Sequence, residues 1–241
     1  MKLKTLFIGV LTIILIGCNS PKKESTSNGT YPDVKIAGAM KNVMWRGELA
    51  GLIRLDTIQD KQGLYGLGPE SCLTGELLIK DGQVYVSRVT SDSTMTVEKT
   101  DKVSAPFFVY AWVHQWQETA LPASIKTIKD LERFIDEKTA NAKRPFAFKL
   151  SGTVTHADIH IQNLPEGTLV SSPEEAHQGQ TSYALKNAEV EIVGFFSTQH
   201  QGVFTHHDSF LHMHLITKDE TKMGHLDGVE FEEMKLFLPE E

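Results

Sequence analysis

From Phe146 to Ile161 the chain alternates between apolar and polar residues, and only an extended strand with two unlike faces satisfies a period of two. The run begins just after Arg144-Pro145. Shorter alternating runs follow at Glu189 to Ile192 and at Phe210 to Ile216. Between them, Pro165 to Ser182 is rich in Gly, Ser, Pro and Gln and reads as a long loop. The second half of the chain is therefore expected to form an antiparallel β-sheet or a barrel-like domain, residues 145–241.

The first half is patterned differently. Gly75 to Ile79 and Gln83 to Val86 alternate on either side of Asp81-Gly82, a pair that favours a two-residue hairpin turn. Ala105 to Val113 is nearly all apolar and aromatic, as in a strand buried on both faces. Thr127 and Asp130 fit a capping box, and Ile128, Leu131, Phe134 and Ile135 follow at helical spacing, predicting one main helix that ends near Thr139. The expected fold class is α+β: a mixed β-sheet N-terminal domain with that helix over 33–144, then the C-terminal domain carrying the chemistry.

The N-terminus has another purpose. Lys2 and Lys4 precede an apolar stretch from Leu6 to Ile16 that is too short for a mature membrane span. It ends in Leu15-Ile16-Gly17-Cys18, which resembles a bacterial lipoprotein cleavage box. Residues 1–17 then form a lipoprotein signal peptide, Cys18 is the site of lipidation, and residues 18–32 are a flexible tether. This predicts an exported protein held to a bacterial membrane only through its lipid. An ordinary secretory signal is the alternative. The chain contains two cysteines, which excludes a thiolate-rich metal site. A net charge of -7 and the lack of a basic run exclude nucleic acid as a partner.

Ten histidines is a high number for 241 residues, and most follow Lys149. In Phe210 to Ile216, strand geometry sends Leu211, Met213 and Leu215 to one face, and His212 and His214 to the other. A polar turn, Thr217 to Met223, then allows a hairpin to return His225 beside that pair. Three imidazoles with an open fourth position form the pattern of catalytic zinc, so Zn2+ is the expected cofactor and His212, His214 and His225 its ligands. The plainer alternative is a pair of half-exposed histidines. His156, Asp158 and His160 share a face opposite Ala157, Ile159 and Ile161, and either line the same pocket or meet water. Thr205 to Asp208 reads as a surface loop, with a pocket rim as the other reading.

Several segments, taken in order, carry a family resemblance. They are Gly66-Leu67-Gly68, Leu73-Thr74-Gly75-Glu76, the Asp81-Gly82 hairpin with Tyr85, and Ala147 to Thr153. Gly194-Phe195-Phe196, His212 to Ile216 and Gly224-His225-Leu226-Asp227 follow. From about Val34 to Leu238 the chain resembles the alpha-acetolactate decarboxylase family. The resemblance implies a mixed-sheet domain followed by a barrel-like one, and allows a homodimer. It implies zinc on His212, His214 and His225, with Glu76 as an acid close to the metal. Its reaction is metal-dependent decarboxylation of 2-acetolactate to acetoin and CO2, so the partner is a small 2-hydroxy-3-oxo acid. Two departures stand out: His160 occupies the place of a family arginine, which makes it a candidate catalytic residue, and Pro69 replaces a threonine. A zinc hydrolase with Glu76 as general base, and a metal-binding lipoprotein without catalysis, are the alternative functions.

Overall fold

The computed structural model describes residues 31–240. The signal segment, Cys18 and nearly all of the tether lie outside the described residues. In the first half the strands are β1 (Val34–Ala37), β2 (Ile53–Arg54), β3 (Leu64–Pro69), β4 (Glu76–Lys80) and β5 (Gln83–Ser91). After them come β6 (Thr94–Lys99), β7 (Ser104–Ala105), β8 (Phe108–Trp112) and β9 (Trp116–Ala120). The later strands are long: β10 (Phe146–Ile161), β11 (Thr181–Phe196), β12 (Leu211–Thr217) and β13 (Met223–Pro239). The helices are α1 (Met40–Arg46), α2 (Ile128–Lys138) and the one-turn α3 (Pro173–Ala176).

The α+β class holds, with one refinement. The first sheet runs β1-β8-β3-β4-β5-β6, and all its pairings are antiparallel rather than mixed. Two-residue turns join β4 to β5 and β5 to β6, a six-residue connection joins β3 to β4, and each reverses the chain. At the β4–β5 turn, Asp81 and Gly82 both have positive φ, 47° and 81°, as that turn type demands. The run from Ala105 to Val113 is mostly buried as expected, but it divides at Pro106, with Ala105 in β7 and Phe108 starting β8.

The second sheet runs β10-β11-β12-β13-β9, and β13 also pairs with β10, so the sheet is partly closed without forming a full barrel. Its core holds Phe146, Phe148, Leu150, Ile192, Met213, Leu215 and Phe231. Helix α2 covers this core with Leu131 and Ile135 and has the expected capping box between Thr127 and Asp130. A second cluster joins the two sheets: Leu67, Leu78 and Val109 from the first meet Ala147, Val193, Phe195 and Ile216 from the other.

The long alternation in β10 is interrupted once. Phe146, Phe148, Leu150 and Val154 face the core, and then Ala157, Ile159 and Ile161 do, so the phase changes at Thr155. There the β10–β13 register shifts twice in succession, because Glu232 on β13 and then Thr155 on β10 are each an extra residue in the ladder. A third shift follows: Asp158 pairs with Gly228 and Ile159 with Leu226, leaving Asp227 as a further extra residue on β13. Such bulges re-aim side chains, and this one has a chemical consequence.

Candidate metal centre

The register assembles the site. His214 of β12 lies opposite His225 of β13, and His225 lies opposite His160 of β10. Side chains directly opposite each other share a face. His212 stands two residues from His214 on the same face, while Leu211, Met213 and Leu215 enter the core as expected. The ring centroids of His212, His214 and His225 are 5.0–5.5 Å apart. His160 stacks on His225 at 4.7 Å.

Glu76 enters from the other sheet, at the start of β4. Its Oε2 lies 3.5 Å from His214 Nε2, and both side chains are buried. The Gln162 backbone N–H donates to Glu76 Oε1 at 3.3 Å. Burial pushes the Glu76 carboxyl up to about 7, against weaker pulls from His160 and that hydrogen bond. At neutral pH the group is therefore poised between acid and base.

The three triad histidines are shifted in the opposite sense. Burial holds His212 and His225 well below the ordinary imidazole range and His214 at about 3, and the charges of neighbouring histidines add to the effect. All three are neutral, with lone pairs available. His212 Nδ1 and His214 Nε2 are buried and make no hydrogen bond, the condition of nitrogens built for another partner. One ligand atom from each of His212, His214 and His225 lies within 4.8 Å of the others. Tetrahedral zinc with bonds of about 2.0–2.1 Å needs ligands roughly 3.4 Å apart, so small ring rotations complete the set. The donors fit a divalent metal that accepts imidazole.

His160 behaves differently. Its Nδ1 faces both carboxylate oxygens of Asp227 at 2.8 Å. Burial disfavours the charged ring, but the Asp227 hydrogen bond and the charges of Glu76 and Asp227 outweigh it and raise the pKa. The bulge at Asp227 makes this contact. The neighbouring pair, His156 and Asp158, bond to each other at 3.1 Å on the half-exposed stretch of the same face and take no part in the site.

A small cavity of about 30 Å3 touches Glu76, His160, Gln162, His212, His225 and Pro69. Its walls at Met40, Met44, His177 and His206 also bound an outer, mostly apolar hollow of about 410 Å3 beside Trp45. A larger cleft of about 840 Å3 lies between α2 and β13 and reaches the far side of His225.

Sequence reasoning missed two contributors, helix α1 and Gln162, and held a third, His206, only as its second reading. His206 is in the pocket rim rather than a surface loop and meets His225 edge-on at 5.2 Å, while His207 is exposed. Helix α1 was missed because Ala39 supplies no side-chain cap; its signals were Met40, Val43 and Met44 at helical spacing and Gly47 in the left-handed region. Gln162 continues the step of two from His156 through His160 by one more residue.

Residues 37–239 match the family model described as alpha-acetolactate decarboxylase. The alpha-acetolactate decarboxylase of Brevibacillus brevis is 25% identical over 198 residues, covering 81% of this chain and 66% of the relative. That of Bacillus subtilis (strain 168) is 27% identical over 168 residues, covering 69% and 62%. The chain thus spans about two thirds of the length of these curated relatives. The crystal structure of alpha-acetolactate decarboxylase from Bacillus subtilis strain 168 superposes with a TM-score of 0.73 at 23% identity, over 88% of this chain and 86% of that one. A Staphylococcus aureus protein of unknown function, similar to alpha-acetolactate decarboxylase, gives 0.72 at 16% identity, over 87% and 84%. These structures share the fold.

Proposed function

Because the chain belongs to the alpha-acetolactate decarboxylase family, we propose that it converts 2-acetolactate to acetoin and CO2 at a zinc ion held by His212, His214 and His225. The observation that carries this reading is the buried Glu76 carboxyl, raised to about 7 and set 3.5 Å from His214.

Bound zinc supplies a Lewis acid that draws electron density from the substrate oxygens as the carboxylate leaves. The bond between the carboxylate carbon and its neighbour breaks, CO2 departs, and the electron pair moves toward the adjacent carbonyl. The product needs a proton on carbon. Glu76 is the donor in this reading, since its pKa keeps it substantially protonated near neutral pH and its buried position excludes competing water. The Gln162 backbone N–H fixes one carboxyl oxygen and leaves the other turned toward His214.

His160 stands where the resemblance sets an arginine. Its imidazole is oriented by Asp227 as a metal-site histidine is by an outer carboxylate. In this reading it positions the substrate as a hydrogen-bonding group and not as a bidentate cation. Export and lipid attachment at Cys18 belong to the same proposal and rest on the sequence.

The test is acetoin formation from racemic 2-acetolactate by the purified protein, with and without added zinc. Metal-dependent acetoin that vanishes in His212→Ala supports the assignment. A folded, zinc-loaded protein that releases no acetoin sinks it.

A further inference from the structure

Gln162 is buried to 4% exposure, yet its side-chain oxygen Oε1 has no hydrogen-bond partner. The amide nitrogen, by contrast, is held twice. It lies 3.2 Å from Gln180 Oε1, to which it donates, and 3.4 Å from His160 Nε2. The far side of His160 is committed, because Nδ1 meets the Asp227 carboxylate, an acceptor only. Turning the amide over would set its oxygen against the side-chain oxygen of Gln180. A chain of contacts from Asp227 through His160 to Gln162 and Gln180 thus leaves the amide oxygen as the group without a mate, on a residue that lines the small cavity with Glu76, His212 and His225.

A fixed acceptor selects a donor. On a 2-hydroxy-3-oxo acid the carboxylate and the ketone offer only lone pairs, and the hydroxyl carries the one O–H. We propose that Gln162 is a specificity-determining residue whose side-chain oxygen accepts a hydrogen bond from the substrate's 2-hydroxyl. This deepens the decarboxylase reading and rests on it for the class of substrate. A site built to accept from a hydroxyl rejects the analogue that lacks it, since the acceptor is then buried unpaired.

The test is binding, so turnover does not enter. Calorimetry on the zinc-loaded protein would compare unreactive 2-hydroxy-2-methylbutanoate with its deoxy counterpart, 2-methylbutanoate. Wild type is expected to bind the hydroxy acid more tightly. Gln162→Met is expected to lose about ten-fold on the hydroxy acid, the size of one hydrogen bond, and to keep its affinity for the deoxy acid. Gln162→Asn, which withdraws the oxygen by one carbon, should show the same loss of preference and serves if the Met variant does not fold. Unchanged zinc content and melting temperature in the variant used separate binding from damage to the site. No preference in wild type, or an equal preference in the variants, overturns the proposal. Acetoin production with an unaltered preference in Gln162→Met leaves the decarboxylase standing and removes Gln162. An intact Gln162-dependent preference without acetoin does the reverse.

Discussion

Glu76 Oε2 and His214 Nε2 are 3.5 Å apart, and the two residues belong to different sheets. The acid comes from β4 and the imidazole from β12, across the apolar cluster that joins the sheets. The chemistry is thus distributed over both halves of the chain, with the packing between them setting the gap across which a proton or a substrate must fit.

Removing a metal ligand should separate metal binding from folding. His214→Ala empties a position that is fully buried but makes no hydrogen bond through Nε2. Zinc affinity, measured by competition with a chelating dye, is expected to fall by roughly 100-fold or more, beyond the 10–100-fold typical of an outer-shell partner. Retention of tight one-to-one zinc would disprove the ligand assignment.

The buried acid makes the metal-free protein sensitive to pH. The folded-state pKa of Glu76, about 7, exceeds its usual 4.5, so folding favours the protonated form. The stability this confers is fully present below 4.5 and is lost as pH rises through about 7. Glu76→Gln removes that dependence. Relative to wild type, the variant should gain on the order of 2–3 kcal/mol between pH 4.5 and 8, read from urea midpoints. Parallel pH profiles for the two proteins would refute the shift.

Asp227 should control the protonation of His160. Its hydrogen bond is the largest influence that raises the His160 pKa against burial, followed by the charges of Glu76 and of Asp227 itself. Asp227→Asn keeps an acceptor oxygen but removes the charge, so the His160 pKa must fall. Following the His160 ring protons by NMR in the metal-free protein reads the shift. A pKa that stays in place would show that the pairing carries no charge.

Gly194 tests the packing beneath the site. It lies opposite Phe148 in the β10–β11 ladder, and a Cβ there would stand 2.3 Å from the ring. Gly194→Ala is expected to cost about 1–3 kcal/mol by denaturant midpoint, because a filled core yields little. Adding Phe148→Leu should recover part of that loss. A neutral Gly194→Ala would mean that the ring can move aside.

Much of this arrangement can be read directly from the chain. His212 and His214 reveal themselves because a strand obeys a period of two, and His225 because a polar turn returns the chain beside them. The capping box of α2 is similarly local. The contact between Asp227 and His160 is not local: it depends on which strand holds the extra residue, and a ladder's register is a property of two strands together. Gln162 escaped for a simpler reason. It follows the last apolar residue of β10, where the alternation had already been counted as finished.

Thr155 on β10, and Glu232 and Asp227 on β13, are each one residue too many for the β10–β13 ladder. Chain length is therefore as much a part of this centre as side-chain identity. Deleting Asp227 would remove the bulge beside His160 and the carboxylate that holds His160 Nδ1. Deleting Asp158, in the regular stretch that follows Thr155, would exchange the two faces of the remainder of β10, sending His160 toward the core and Ile159 toward the metal. Insertions and deletions in these two strands should be far less tolerated than substitutions, even where the altered residue is exposed.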